Sequence, residues 1–353
     1  MPRPSLPRPP ATGTAGRATI DDVARAAGVS KATVSRFFNH RETLLTPDIA
    51  ARVQVAVTSL GYAPSPMAQA LKRGRSRLIG LVVADVTNPF SVAVLRGAEK
   101  ACQEAGYLVM LFNLGNEKGR ERQAIEALAA YKVEGFILNR VGDDASTIAE
   151  AARHARPMVL VDRRHDSLPA DFVSLDNAAA TRLAAQHLFD RGYRELLLVT
   201  EPVAGVSSRL ERSAAFRAFA AEAGIAGTVL EHAADDDTAC LAQALQQWRR
   251  QAAGRPPAVL SGNAVATLRV AAAVARLGWQ FGRELGFIGF DDTEWAPLVG
   301  PGLSAIAQPT DALGKAAALC LLERLQGATH APREILLPGE LIARGSSPPV
   351  QRP

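Results

Sequence analysis

Two groups of polar side chains in this sequence have the types and spacing needed for recognition chemistry. The first is Ser30-Lys31-Ala32-Thr33-Val34-Ser35-Arg36, with Asn39 beyond it. At helical spacing Val34 and Phe37 or Phe38 point to a core, whereas Lys31, Ala32, Ser35 and Arg36 lie on the opposite side. Such a face suits the DNA major groove, where an arginine reads guanine bidentately and short polar groups approach bases or phosphates. The competing reading is an amphipathic hairpin with a solvated polar side. The second group ends a series of apolar runs: Asn88 and Phe90, Asn139, Asp162-Arg163, Asn263, and Asp291-Asp292. Any one of these is by default a turn former or helix cap, but a convergent set facing one cleft is a binding site.

Short helices must position the first group. Thr19 caps a helix whose apolar residues Ile20, Val23, Ala24 and Ala27 follow i, i+3, i+4, i+7 spacing. Asp21 and Asp22 occupy its first turn, where the helix dipole favours them. Gly28 supplies a left-handed C-cap, Val29 packs inward, and Ser30 caps a second helix reaching about Phe38. A helix-turn-helix follows from that Gly-Val-Ser turn. A third helix runs from the Thr46-Pro47 cap to about Leu60, with Gly61 ending it and Tyr62 closing the small core. Next comes APSPMAQALKRGRSR, residues 63–77. It reads either as a basic linker or as a short helix that orders on DNA, its apolar side wedged into the minor groove.

A larger α/β body must position the second group. LIGLVVADV (78–86), YLVMLFN (107–113), VEGFILN (133–139) and PMVLVD (157–162) are continuous apolar runs, the mark of strands buried on both faces. Helical stretches at about 90–105, 117–131 and 144–155 separate them. After DFVSLD (171–176) the pattern restarts with helix 178–190, ELLLVT (195–200), helix 209–224, AVLSGN (258–263) and LGFIGFD (285–291). Two successive runs of βα units predict two doubly wound parallel-sheet lobes, and ligands bind such sheets outside the carboxyl ends of the strands.

Charge divides the chain the same way. Residues 1–77 hold 12 Lys/Arg against 4 Asp/Glu, whereas the remainder holds 28 against 31. A basic front on a near-neutral body predicts a polyanion partner for the front alone. The first 17 residues are Pro- and Arg-rich without an apolar stretch, so they are expected to be a disordered tail rather than a secretory signal, and no later run suits a membrane span. The expected location is the cytoplasm, on the nucleoid. Cys102, Cys240 and Cys320 are far apart and are expected to be buried thiols, neither a disulfide framework nor metal ligands. No P-loop, GxSxG, HExxH or GxGxxG after the first strand is present, and none of the six histidines is paired with a plausible nucleophile. No catalytic residue, metal or cofactor is expected.

VSKATVSRFFN followed by LGYAPSPMAQALKRGRSRLIGLVVADVTNPF resembles the lactose-repressor (LacI/GalR) family of bacterial transcription factors, over residues 18 to about 347. The resemblance implies a small all-α helix-turn-helix headpiece (18–64), a hinge helix (65–77) and a periplasmic-binding-protein-like core (78–347), with a tail at 348–353. It adds three crossovers between the lobes, the first lobe being about 78–176 and 307–335 and the second about 177–306 and 336–347. It implies DNA contacts from Thr19, Ser30, Lys31, Ala32, Thr33, Ser35, Arg36 and Asn39, and from hinge residues Met67, Ala68 and Leu71, the last wedging into the central base step. Two departures stand out: Ser65-Pro66 replaces the usual Asn followed by a non-proline, and the His40–Leu44 loop is slightly longer than in the lactose repressor.

In SSRLERSAAF (207–216), Arg212 and Ser208 match the family's ligand-binding arginine and serine, and Asn139, Asp162, Asn263 and Asp291 match pocket positions. Phe90, Ser91, Arg163, Trp295 and Gln308 complete the expected effector site, with Trp295 suited to stacking on a sugar and Gln308 at a crossover. Ala264 replaces the aspartate that commonly follows the pocket asparagine. Arg212 with Arg163 nearby suits a carboxylate-bearing ligand, because a guanidinium grips carboxylate bidentately; the alternative is a neutral sugar beside structural ion pairs. RLIGLVVADVTNPFSVAVLRGAE, EPVAGVSSRLER and DDTEWAPLVGPGLSAIAQPT resemble the family's 2-ketogluconate-responsive repressors, which implies a sugar-acid effector. The expected partners are palindromic operator DNA, that effector and a second copy of the chain. A secreted sugar receptor sharing the two-lobed core, and an enzyme acting on a sugar acid, are the competing classes. The basic headpiece opposes the first and the missing catalytic motifs oppose the second. No leucine heptads follow the core, so a dimer is expected rather than a tetramer.

Overall fold

The computed structural model describes residues 18–38, 45–64, 75–117, 119–139, 156–165, 168–233 and 236–350. The chain divides into two units, one ending at Ser76 and one beginning at Arg77. In the first, α1 (Ile20–Ala27) opens with the Thr19 side chain accepting from the Asp22 amide while the Asp22 carboxylate accepts from the Thr19 amide, a reciprocal cap. Gly28 adopts φ 63°, the left-handed conformation that lets the chain turn into α2 (Lys31–Phe38). Thr46 caps α3 (Pro47–Ser59). Val23, Val34 and Val53 are wholly buried between these helices, with Phe37, Phe38 and Tyr62 packed around them. The expected hinge residues Met67, Ala68 and Leu71, together with Asn39 and the 40–44 loop, lie outside the described residues.

The second unit begins with β1 (Leu78–Val83), α4 (Pro89–Glu104), β2 (Leu108–Asn113), α5 (Arg120–Ala130), β3 (Gly135–Leu138), β4 (Met158–Val161) and β5 (Asp171–Leu175). The expected helix at 144–155 falls outside the described residues. Then follow α6 (Asn177–Asp190), β6 (Glu195–Thr200), α7 (Ser207–Glu222), β7 (Ala226–Glu231), α8 (Thr238–Gln251), β8 (Pro257–Ser261), α9 (Ala264–Arg276), β9 (Gly286–Phe290) and β10 (Ser304–Ala307). The last elements are α10 (Thr310–Leu325), β11 (Glu334–Leu337) and β12 (Glu340–Ile342).

The strands form two six-stranded sheets, ordered β2-β1-β3-β4-β5-β11 and β7-β6-β8-β9-β10-β12. All pairings are parallel except that of β12 with β10. The sheets therefore share one plan, with β1, β3 and β4 corresponding to β6, β8 and β9. In each, the order reverses beside the first strand, which opens a crevice at the carboxyl ends. Alternation within β1 explains why it reads as one apolar run. Ile79, Leu81 and Val83 enter a core with α4 and α10, while Val82 joins α5 residues on the other face.

The chain passes between sheets three times: from β5 into α6, from β10 into α10, and from β11 into β12. Residues 336 and 337, expected in the second lobe, belong to β11 and pair with Ser174 and Leu175 of the first sheet. The last crossover thus comes slightly later than expected, because β11 extends the first sheet fully alongside β5. Residues 348 and 350, expected in the tail, are tied to the second lobe: the Tyr193 hydroxyl donates to the Pro348 carbonyl at 3.0 Å, and the Val350 amide donates to the Arg191 carbonyl at 2.7 Å. Cys102 and Cys320 are buried, and burial pushes the Cys102 thiol up to about 11. Cys240 is exposed, contrary to expectation, because α8 turns Leu241, Ala242, Leu245 and Trp248 inward and leaves residue 240 outside that stripe.

Helices α4 and α10 touch through glycine. A Cβ built on Gly314 would lie far inside contact with the Val94 carbonyl and the Ala98 amide, and one built on Gly97 would strike the Asp311 backbone. Gly314→Ala should force the helices apart and cost roughly 1–3 kcal/mol, the usual penalty for overpacking. Urea denaturation of the purified chain measures it, and an unchanged midpoint would contradict this close approach.

Candidate functional site

Beyond its caps, the headpiece presents a short polar face. Lys31, Ala32 and Arg36 are exposed and Thr33 and Ser35 half-buried, while Val34 is buried on the other side of α2. The Ser30 hydroxyl accepts from the Thr33 amide at 3.2 Å and lies 2.9 Å from the Thr33 hydroxyl, fixing the start of the helix. Lys31 forms an exposed 2.7 Å ion pair with Asp21 of α1. Thr19 is exposed, with its hydroxyl spent on the α1 cap. The seven described residues expected at DNA thus lie at the starts of α1 and α2 or along α2 as far as Arg36.

In the larger unit, the carboxyl ends of the two sheets enclose a cleft of about 470 Å³. Phe90, Ser91, Asn139, Asp162, Arg163, Ser208, Arg212, Asn263, Asp291, Trp295 and Gln308 all line it. Corresponding strands supply corresponding groups. Asp162 directly follows β4 and Asp291 directly follows β9, and both are left-handed, with φ 66° and 72°. Aspartate tolerates that conformation better than most residues, and both aspartates line the cleft. Asn139 ends β3 and serves the fold as well. Its Oδ1 accepts from the Ala84 amide at 3.3 Å, and its Nδ2 donates to the Val161 carbonyl at 3.2 Å. Asn263 caps α9 and accepts from the Ala266 amide at 2.8 Å.

Arg212, buried on α7, is the hub of the cleft. Its Nε donates to Asn177 Oδ1 at 2.8 Å, Nη1 to the Gly262 carbonyl at 2.5 Å and Nη2 to Gln308 Oε1 at 3.4 Å. The guanidinium also lies 4.2 Å from the Phe290 ring centre. Burial lowers the proton affinity of Arg212, an effect opposed by the charges of Asp162 and Asp291. Burial raises the Asp291 carboxyl above its ordinary range, against the pull of Arg212 and of hydrogen bonds from the Ala264 amide (2.8 Å) and Gln308 Nε2 (2.6 Å). Gln308, on the β10–α10 crossover, thus bridges Asp291 and Arg212. From the other lobe, Asp162 Oδ2 accepts weakly from the Ser208 hydroxyl and from Asn139 Nδ2, both at 3.4 Å. The result is a polar, largely internally paired wall with alternating acceptors and donors, suited to the hydroxyls of a sugar.

Sequence reasoning missed Glu201 and Arg209, which both line the cleft. Glu201, the first residue after β6, forms a 2.6 Å ion pair with Arg209 and accepts from Asn263 Nδ2 at 2.5 Å. The strand-end rule points at Glu201, but the family pattern in α7 drew attention only to Ser208 and Arg212. Among the described residues there is no cluster of His, Cys, Asp and Glu able to hold a metal ion, and no helix long and apolar enough to cross a membrane.

Comparison with known proteins agrees with both halves. Residues 19–65 match the family of bacterial regulatory proteins of the lacI type, and residues 185–347 match a periplasmic binding protein-like domain. The chain is 47% identical to the HTH-type transcriptional regulator PtxS of Pseudomonas plecoglossicida, over 94% of this chain and 96% of that protein. It is 38% identical to the HTH-type transcriptional regulator KdgR of Bacillus subtilis, over 94% and 98% of the two chains. The crystal structure of the lac repressor dimer bound to operator and the anti-inducer ONPF superposes with a TM-score of 0.80. It is 27% identical and covers 94% of this chain and 99% of its own. A basic helix-turn-helix with a two-lobed, cleft-bearing core, shared along nearly its whole length with regulators rather than enzymes, makes this chain a DNA-binding transcriptional regulator of the lacI family.

Proposed function

We propose that the chain is a repressor whose interlobe cleft binds a sugar acid of the 2-ketogluconate type, and that occupancy of the cleft changes its affinity for operator DNA. The observation that carries this reading is the convergence on one cleft of Asp162, Arg163 and Asp291, at the strand ends of two lobes, with the arginines of α7. The carboxylates accept from sugar hydroxyls, and a guanidinium lining the cleft donates to the acid group. Ligand contacts on both lobes bias the angle between them, and a bias of a few kcal/mol is enough to shift a two-state equilibrium. Two copies of the chain, each presenting Thr19, Ser30, Lys31, Ala32, Thr33, Ser35, Arg36 and Asn39 to a half-site, read a palindrome, with Met67, Ala68 and Leu71 in the minor groove. The protein acts in the cytoplasm, on the nucleoid.

Thermal unfolding of the purified chain tests the ligand class. Ligand at 100 times its Kd stabilises the bound state by about 2.7 kcal/mol, which raises the melting temperature measurably. 2-Ketogluconate should raise it, and D-galactose should not. No shift with any sugar acid would overturn the reading.

A further inference from the structure

The cleft holds four arginines and four carboxylates, so its formal charge is balanced and the position of each pair decides where an anionic group can sit. Arg212 is poorly placed for a ligand carboxylate. Its three nitrogens already donate to the protein, its face covers Phe290, and both Asp162 and Asp291 act on it electrostatically. A third anion there would meet two carboxylates for one guanidinium. The surroundings of Arg212 instead suit hydroxyl hydrogens.

A different pair lines the cleft from opposite lobes. Arg163 follows β4 in the first lobe and Arg209 lies on the first turn of α7 in the second. Their side chains are only 11% and 16% exposed. Arg163 is 3.6 Å from Asp162, and Arg209 is held by Glu201 at 2.6 Å and by the Pro202 carbonyl at 2.9 Å. Both side chains line the same cleft, and the charges of Arg209 and Glu201 act on Arg163.

We infer that Arg209, which lines the cleft from the lobe opposite Arg163, is the group that selects a carboxylate-bearing effector, with Glu201 as its resident counter-ion. This rests on the sugar-acid reading and adds the place of the acid group. The effector carboxylate takes the position between the two guanidiniums and draws Arg209 away from Glu201. Because Arg163 and Arg209 belong to different lobes, the same anion ties the lobes together, and a neutral ring does not. Glu201 competes with the ligand and sets how acidic a ligand must be to displace it.

The test uses the full chain in isothermal titration calorimetry, with 2-ketogluconate and D-fructose as probes. Fructose has the same ring with a CH₂OH in place of the carboxylate. The wild type should prefer the acid. Arg209→Gln should lower affinity for 2-ketogluconate about 10- to 100-fold, as expected for a lost charge-assisted hydrogen bond, with little effect on fructose. Glu201→Gln should do the opposite and tighten 2-ketogluconate binding about 3- to 10-fold, a gain that a misfolded variant cannot give. If Arg209→Gln keeps the full preference while Arg212→Gln abolishes it, the acid group sits on Arg212 and the inference fails with the sugar-acid reading intact. If the wild type binds no sugar acid, both fail.

Discussion

Arg212→Met is expected to abolish the response to effector while operator binding survives. The methionine keeps the bulk against Phe290 but removes three donors, those to Asn177, the Gly262 carbonyl and Gln308. These acceptors lie at the start of α6, in the β8–α9 loop and on the β10–α10 crossover, so one guanidinium ties together three segments around the cleft. Its loss also leaves the buried Asp291 without the charge that opposes its burial. Removing one partner from a buried charge pair costs roughly 3–5 kcal/mol, and that stability loss should appear in urea denaturation. Effector affinity should fall at least ~100-fold, because two or more charge-assisted contacts are removed or misdirected. Arg212→Lys should not restore it, since a single ammonium cannot reach three acceptors disposed around a planar fork. Calorimetry at a temperature well below the melt separates the two effects. Wild-type effector affinity in the methionine variant would show that the hub is structural only.

Arg36→Ala should have the largest effect at the DNA end. Arg36 is exposed on the face of α2 opposite the buried Val34, so its truncation leaves the headpiece core untouched, and alanine is a good helix former. A bidentate guanine contact is worth roughly 1–3 kcal/mol of discrimination, so each half-site should lose about 10- to 100-fold in specific affinity. Non-specific affinity should fall far less, with a slightly shallower salt dependence from the lost cation. Fluorescence anisotropy on operator and on scrambled duplex measures the ratio. An unchanged ratio would remove Arg36 from the reading face.

Much of this is written locally in the chain. The Thr19 cap, the left-handed Gly28, the Thr46-Pro47 start of α3 and the apolar runs of β1, β3, β4 and β9 each depend on a few adjacent residues. The cleft residues were also accessible, because a doubly wound sheet places whatever follows its strands at one edge. Other features depend on partners distant in sequence. Strand β7 is an edge strand with a half-exposed, glycine-containing sequence, so it gives no continuous apolar run. Helix α10 is apolar over most of its surface, since it lies buried against α4 and the first sheet, and its periodicity is weak for that reason. The crossovers follow from which sheet edge is free, which no local pattern records. Glu201 was hidden for a related reason: its role depends on Arg209 and Asn263, eight and 62 residues away.

A sugar acid in the interlobe cleft should change DNA binding. The most direct measurement is a titration of the complex between this chain and its own upstream region, followed by gel shift, with 2-ketogluconate, gluconate and neutral sugars. 2-Ketogluconate should alter the bound fraction at concentrations where neutral sugars do not, and Arg212→Met should make the complex insensitive. A complex left intact by gluconate, 2-ketogluconate and neutral sugars alike would contradict this.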